Sequence, residues 1–479
     1  MTKDPPSVPA LVALLKACSK HGDLERGRRI HSSLLATPLG CRLASSNAYV
    51  RSSLVSMYAK CGALSEARQL VLDPQISPHH HVVVSWNALI TGYAQHGHGE
   101  EALRCYEQMK EEGIPPTAVT YVSTLKACGS IGAKEKGEEI HDEVTKARLL
   151  DANVLVGNAL LDMYAKCGDL TKARQIFRGL CIRDVVSWNT MISGYVQCGY
   201  SEEALRCYRQ MRREQVPPNT VTFLCTLKAC GTIGAATKGE KLHAKILRHG
   251  LLKRNSLLGT ALVDMYAKCG LLAKAQKVLE ELPDRDVVSW NVLIAGYALQ
   301  GKAHEALECL NCMLTEGISP DEGTFLCVLS ACGRNGLVND AEMLFGDMSL
   351  KYGIVPSIEH HICMVLVFGC GGHFDKAMSV IKIMQSLDYP TVWLALLGAC
   401  RRWGNVKLGK LAFDQVIQLD DSHSAAYVLI AGLFTDSGME ADAKNIESMR
   451  WKYAALKHEQ GNATWIDPVD DFHDFLYWG

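Results

Sequence analysis

What the 479-residue chain lacks narrows its class. It has no charge excess: 50 Lys+Arg stand against 51 Asp+Glu, a formal net charge of −1. A generally basic surface therefore cannot supply affinity for a polyanion, which would need local grooves, stacking and base contacts instead. No apolar run approaches the roughly 18 residues of a membrane-spanning helix, so a soluble protein is expected. With 15 prolines, 48% hydrophobic and 21% charged residues, the composition argues against long disordered segments. The amino terminus, MTKDPPSVPALVALLKAC, enters an amphipathic helix almost at once. It shows neither the apolar core of a signal peptide nor an Arg/Ser-rich transit segment. No Gly-rich phosphate loop and no Ser/His/Asp constellation stands in the secondary-structure context its chemistry needs.

What is present is length and repetition. A chain of this size is too long for one ordinary core, so it is either several domains or a repeat array. Its 19 cysteines are odd in number and spread through helical patterns, and the chain is far larger than a disulfide-stapled domain. They read as reduced, buried thiols.

Self-similarity decides between domains and array. VVSWN occurs at Val83 to Asn87, Val185 to Asn189 and Val287 to Asn291, each copy 102 positions after the last. The same offset separates MYAKCG at Met163 from its copy at Met265, and Cys128 of KACG from Cys230 and Cys332. Imperfect earlier copies supply Met57 and Cys18. Each long period divides into helical hairpins of 35, 36 and 31 residues if the boundaries are Val185, Thr220, Ser256 and Val287. Trp188, Met191, Ile192 and Tyr195 show the helical spacing of a buried face. A Gly-containing turn and a second helix, EEALRCYRQMRRE, follow, and Pro217 and Pro218 end it. One such hairpin cannot bury its apolar face, so neighbours must stack, with one helix of each pair lining an inner groove.

The W-x-x-L-G-x-x-Y pattern of tetratricopeptide arrays is not what recurs. The 35/36/31 alternation with VVSWN, MYAKCG and KAC resembles the plant-type pentatricopeptide repeat (PPR) in its P, L, S triplet form. That resemblance implies an all-α, right-handed α-solenoid superhelix of helix-turn-helix, TPR-like repeats. It makes residues 8–357 an array of P, L and S motifs. Within it, Val8 to about Asn47 is L-type and Ala48 to Val82 is S-type with a PQISPHHH insertion. P-type motifs start at Val83, Val185 and Val287, and an L-like motif runs from Glu322 to Ser357. Residues 358–389 resemble a last S-like motif. Residues 390–457, containing TVWLALLGACRRWGNVKLG and SAAYVLIAGLFTDSGMEADAKNIESMR, resemble the E-type extension motifs. Residues 458–479 resemble a short, divergent E+-like tail, with no deaminase domain of the DYW kind after it.

Repeats of this kind read unpaired RNA one base per motif with two or three side chains. The resemblance places the reading pairs at the fifth and last positions: Asn87 with Thr117, Asn158 with Asp184, Asn189 with Asn219, Thr260 with Asp286, and Asn291 with Asp321. A carboxylate can accept from the ring N–H of uracil or guanine, an Asn amide adapts to cytosine, and Thr leaves room for a purine. The family code then gives U at Asn158/Asp184 and Asn291/Asp321, C at Asn189/Asn219 and G at Thr260/Asp286. L-type motifs with Val122 and Leu224 at the fifth position discriminate poorly. Read parallel to RNA, the central stretch is U, C, any base, G, U. Asn87/Thr117 and Ser52/Val82 have no assigned base. The second residues Val84, Leu155, Val186, Leu257 and Val288 are expected to wedge between bases, adding affinity without specificity. The bland alternative is that the fifth-position asparagines merely cap or link neighbouring helices. Trp86, Trp188 and Trp290 are expected to pack between repeats rather than to stack on bases.

A fused zinc deaminase would need H-x-E and P-C-x-x-C. His141-Asp142-Glu143 matches the first by letters but lies in the helical GEEIHDEV, and Cys309 to Cys312 lies in EALECLNCML without a preceding proline. Both read as chance matches. His79, His80 and His81 form an adjacent run with poor tetrahedral geometry, and Glu359, His360 and His361 fit packing or RNA proximity better than metal. No catalytic residue, metal or cofactor is expected. The implied function is recognition of single-stranded organellar RNA, in mitochondrion or chloroplast, by a monomer that touches no membrane. In the fuller form it selects a site for C-to-U editing, the family register placing the edited C about four nucleotides beyond the base under the last S-like motif. The extension motifs then engage a deaminase or accessory protein supplied in trans. The competing readings are transcript stabilisation or splicing, and a protein-binding scaffold.

Overall fold

A computed structural model describes residues 7–72, 82–252, 255–384, 389–421 and 423–459. The PQISPHHH insertion with His79, His80 and His81, and the tail from residue 460, lie outside them. Among the described residues all regular secondary structure is helical. Chain contacts define two compact units, Met1–Ala229 and Cys230–Gly479, whose boundary falls inside helix Thr220–Thr232, within the expected array.

Each motif is a hairpin of an A helix and a B helix. In the first unit the A helices are Val8–His21, Ala48–Lys60, Val82–Gln95, Ala118–Ile131, Val154–Lys166 and Val185–Gln197. In the second they are Ser256–Lys268, Val287–Leu299, Glu322–Asn335, Ile358–Cys370, Pro390–Trp403 and Ser424–Asp436. Within each unit every A helix packs on the A helix of the next motif, and most B helices bridge their own A helix and the next one. That is the α-solenoid the repeats imply. The boundaries Val185, Thr220, Ser256 and Val287 each begin a helix, and the Val83 motif begins one residue earlier, at Val82.

The unequal motif lengths have a local cause. In the motifs expected to be S-type the B helix has 10 residues, as in Leu170–Gly179 and Leu272–Glu281, against 13 in Lys134–Lys146 and Ser201–Arg213. The missing residues amount to about one helical turn, while the A helices keep their length. Length variation is thus confined to the B layer. The KCG turn that ends the S-type A helix places Gly168 and Gly270 at φ 77 and 78, a left-handed conformation that glycine adopts without steric penalty.

Packing uses the repeated letters. Trp86 and Trp188 are fully buried, Trp290 nearly so, and Trp188 meets Phe177 edge-on at 4.7 Å between ring centres. The tryptophans are core residues, as expected. At the S-to-P contact a Cβ on Gly296 would stand 2.7 Å from the Cβ of Ala267, so the two A helices approach as closely as backbone allows. Eight of the 19 cysteines are buried, but eight are only half-buried and Cys41, Cys181 and Cys312 are exposed. The expectation of uniformly buried thiols is corrected accordingly: Cys309 lies on the buried stripe with Ala306, Leu310 and Met313, and Cys312 lies at its solvent-facing margin.

Candidate nucleic-acid interface

The last residue of a motif is the N-cap of the next A helix, which explains its side-chain chemistry before any ligand is considered. Asp184 accepts from the Ser187 N–H at 2.9 Å, Asn219 from Thr222 at 3.0 Å, Asp286 from Ser289 at 2.8 Å and Asp321 from Thr324 at 2.8 Å. Short polar residues are preferred at this position because their side-chain oxygen satisfies an otherwise orphaned N–H.

The fifth-position asparagines lie beside these caps. Nδ2 of Asn158 donates to Asp184 Oδ1 (3.3 Å), of Asn189 to Asn219 Oδ1 (3.0 Å), of Asn291 to Asp321 Oδ1 (2.9 Å) and of Asn87 to Thr117 Oγ1 (3.0 Å). Four of the five expected pairs are therefore joined directly. Thr260 differs: its hydroxyl donates to the Ser256 carbonyl of its own helix at 3.3 Å while Asp286 remains exposed.

The pairs are not equally open. Asn158 and Asn189 are only 6% and 8% exposed, whereas Asp184 is half-buried and Asn219, Asp286, Asp321 and Thr117 are exposed. The asparagine thus offers an edge and the last residue offers a side chain. Burial pushes the Asp184 carboxyl up, but hydrogen bonds from the Ser187 N–H, the Ser187 hydroxyl and Asn158 outweigh it and bring it below its ordinary value. At Asp321 burial is likewise opposed, and overcome, by Asn291 and by the Thr324 N–H and hydroxyl. Both groups are carboxylates at neutral pH and can only accept.

The second-position residues form an exposed apolar series. Val84, Leu155, Val186, Leu257 and Val288 are 51–67% exposed, although each sits on a helix with a buried opposite face. Sequence reasoning missed Tyr49, Val119 and Val221, which occupy the same position and are equally exposed. The signal was available, since Val119 and Val221 are 102 residues apart. The series stops after Val288, because the next two second positions are Gly323 and Glu359. In the second unit Val288 and Asn291 line a groove of about 380 Å³ together with Lys268, Leu326 and Cys327.

The junction from the motifs expected to be L-type to those expected to be S-type is different. Its fifth residues, Val122 and Leu224, are apolar, and the caps Asn153 and Asn255 accept from the N–H groups of Leu155 and Leu258. Behind them the B-helix histidine meets the next A-helix tyrosine in three copies: His31 with Tyr58 at 2.9 Å, His141 with Tyr164 at 3.0 Å and His243 with Tyr266 at 3.0 Å. Burial holds all three rings below the ordinary 6.5 and pushes Tyr164 and Tyr266 up to about 12, so at neutral pH a neutral phenol meets a neutral imidazole and the ring tautomer sets the direction of the bond. His141 is accounted for by this link, and Glu143 by Tyr106 at 2.6 Å and Lys110 at 2.7 Å. His360 is 2% exposed and bridges the Ser357 hydroxyl and the Glu322 carbonyl. Among the described residues no group of three or more His, Cys, Asp or Glu could hold a metal ion, and no helix is long and apolar enough to cross a membrane.

These junctions can be set against known proteins. The PPR repeat family pattern matches residues 81–130, 183–232 and 285–334, and a second PPR repeat pattern matches 158–184, 260–287 and 323–351. The chain is 33% identical to the chloroplastic pentatricopeptide repeat-containing protein At3g57430 of Arabidopsis thaliana, over 97% of its own length but 52% of that protein's. It is 35% identical to the chloroplastic CRR2 of the same plant, covering 93% of this chain and 67% of CRR2. It is also 35% identical to the putative mitochondrial protein At3g13770, covering 97% and 72%. The chain thus spans between half and three quarters of the length of these relatives. Among solved structures, PPR10 in complex with an 18-nt psaJ RNA element aligns with a TM-score of 0.69 at 16% identity, over 94% of this chain and 70% of PPR10, a likeness of fold. With hairpins of the expected register, capped junctions repeating at the family's period and relatives aligned along nearly its whole length, this chain belongs to the pentatricopeptide repeat family.

Proposed function

We propose that the chain is a sequence-specific reader of single-stranded RNA in a plant organelle, chloroplast or mitochondrion. The observation that carries the reading is the hydrogen-bond character left over at each joined pair. At Asn158/Asp184 and Asn291/Asp321 the asparagine has a second Nδ2 hydrogen to give, and the carboxylate has lone pairs to accept with. A donor beside an acceptor complements a uracil carbonyl beside its N3–H. At Asn189/Asn219 the Asn219 oxygen is taken by the Thr222 N–H and by Asn189, so its NH2 faces outward. Two donors complement the O2 and N3 acceptors of cytosine. Thr260 beside the open Asp286 suits guanine. In chain order the reading is U, C, any base, G, U, the L-type position being blank because Leu224 offers no polar edge.

Affinity without a basic net charge then comes from two sources. One is the second-position series, whose apolar side chains would wedge between bases. The other is a set of exposed lysines on the same A helices, Lys126, Lys166, Lys228 and Lys268, suited to phosphates. The RNA in the PPR10 complex and the organellar names of the relatives support the assignment.

The finer reading is site recognition for C-to-U editing, with a deaminase or accessory protein supplied in trans. It is supported by the resemblance of residues 390–457 to E-type extension motifs, a stretch that folds as the hairpins Pro390–Trp403/Val406–Leu419 and Ser424–Asp436/Glu440–Glu459. Sequencing organellar transcripts from a knockout separates it from stabilisation or splicing: an unedited cytidine supports it, and altered abundance or intron retention with normal editing removes it. The base-reading itself is tested by Asn219→Asp, which turns donor–donor into donor–acceptor while keeping the cap. In filter binding with RNAs differing at one base, preference should move from C to U by about tenfold, the equivalent of one net hydrogen bond. An unchanged preference refutes the assigned register.

A further inference from the structure

An asparagine amide presents opposite hydrogen-bond character at its two ends, so a fifth-position asparagine reads a base only if something fixes its orientation. At each joined pair a hydroxyl three residues beyond the last position does so. Thr120 donates to Asn87 Oδ1 at 2.5 Å, Ser187 to Asn158 at 2.7 Å, Thr222 to Asn189 at 2.6 Å and Thr324 to Asn291 at 2.6 Å. All four are fully buried, and Thr120, Thr222 and Thr324 recur at the 102-residue period. At the three threonines the cap contributes to the direction of the bond. The hydroxyl oxygen of Thr222 accepts the Asn219 backbone N–H at 3.1 Å, that of Thr120 the Thr117 N–H at 2.9 Å and that of Thr324 the Asp321 N–H at 3.1 Å. The one hydroxyl proton then has two acceptors in reach, and the asparagine Oδ1 is the nearer: 2.7, 2.6 and 2.6 Å for Ser187, Thr222 and Thr324, against 2.9, 3.1 and 2.9 Å to the cap oxygens of Asp184, Asn219 and Asp321.

The Thr260 junction supplies the contrast. With no asparagine to receive it, the Ser289 hydroxyl turns back to the Asp286 carbonyl at 2.8 Å. The hydroxyl therefore responds to the identity of the fifth residue, and does not only cap the helix.

We infer that Thr120, Ser187, Thr222 and Thr324 are positioning residues for base selection, each locking the amide of the preceding motif's asparagine with Oδ1 inward and NH2 toward the last residue and the base. The inference rests on the base-reading proposed above and adds a third side chain to it, one that touches no RNA. Removing the hydroxyl leaves a buried Oδ1 without a donor, which costs free energy. The amide recovers that cost by turning Oδ1 toward solvent or base, where it accepts instead of donating.

The test uses the full chain and four unpaired RNAs differing only at the base opposite Asn189/Asn219. The wild type should prefer C. Thr222→Val, nearly isosteric, should shrink the C-over-U ratio by about fivefold or more, the scale of one net hydrogen bond, and Thr222→Ser should restore it. A purely capping role predicts otherwise: Thr222→Val would lower the melting temperature and weaken C and U equally, and that result overturns the inference. So does a serine variant that behaves like valine. If Thr222→Val does not fold, Thr324→Val with the U-over-C ratio at Asn291/Asp321 decides in the same way. A wild-type chain with no base preference removes the reading and the inference together, and is recognised before any variant is made.

Discussion

Two kinds of junction alternate along the chain, and they divide labour. Where motifs expected to be P-type meet L-type ones, or S-type meet P-type, the residue pairs Asn87/Thr117, Asn158/Asp184, Asn189/Asn219, Thr260/Asp286 and Asn291/Asp321 are polar, and hydroxyls such as Thr222 and Thr324 stand behind them. Where motifs expected to be L-type meet S-type ones, the fifth residue is Val122 or Leu224, and the polar chemistry moves to the B layer, where His141 meets Tyr164 and His243 meets Tyr266. Glycine follows the same division: a Cβ on Gly137 or Gly239 would fall within 2.5 Å of the sulfur of Met163 or Met265, a contact found only at the L-to-S step. One junction class keeps hydrogen-bonding capacity at the groove, and the other uses its capacity to hold hairpins together. On the proposed RNA-reading function, the motif whose fifth residue is Val122 or Leu224 contributes packing in place of base contacts.

The largest effect should come from breaking a helix approach. Gly296→Val puts a branched side chain where even a single Cβ would stand 2.7 Å from Ala267, and overpacking of this kind costs about 1–3 kcal/mol. Thermal unfolding should register it, while the relative preference among bases of the chain that remains folded stays as in the wild type. A changed base ratio would erase the distinction between packing and reading.

A smaller effect tests the clamp. Val186→Ala removes part of an apolar side chain that is 51% exposed in the free chain. It should weaken binding of every RNA by about 0.5–1 kcal/mol, from the apolar area that a base would cover. The melting temperature should not move. Loss confined to one base would make Val186 a reader instead.

The smallest concerns acid. The histidines of the L-to-S links have folded pKa values below the ordinary 6.5, so the unfolded chain binds protons first. Their stabilisation is complete above about pH 6.5 and is lost as pH falls through the lowered values. Asp184 and Asp321, also lowered, add a loss of the same sign at more acid pH. Unfolding midpoints in denaturant should decline on going from pH 7.5 to 5.5, and His141→Gln should flatten part of that decline. A midpoint that rises on acidification would show that the His–Tyr links are not what responds.

Much of this was legible in the letters. The helix starts at Val185, Thr220, Ser256 and Val287 follow from the 102-residue offset alone, as does the burial of Trp188, because identical strings at a fixed spacing must make identical contacts. The pairing of Asn189 with Asn219 came from the family register, and the geometry joins them. The hydroxyl of Thr222 was equally periodic but was overlooked, since a threonine three residues into a helix reads as part of a capping box. The sequence shows the second-position series in five copies of eight; Val119 and Val221 belong to motifs expected to discriminate poorly, and Tyr49 to one with no assigned base.

The sequence by itself determined the repeat, its period, the capping residue at each motif end and the apolar faces that force hairpins to stack, because these depend on interactions within about one turn or between identical neighbours. Only the tertiary structure decided which way each amide points, how far Asn158 and Asn189 are withdrawn from solvent, and that His141 hydrogen-bonds the Tyr164 phenol. Those outcomes depend on side chains about 30 residues apart meeting within 3 Å, and no local pattern fixes a distance across two helices.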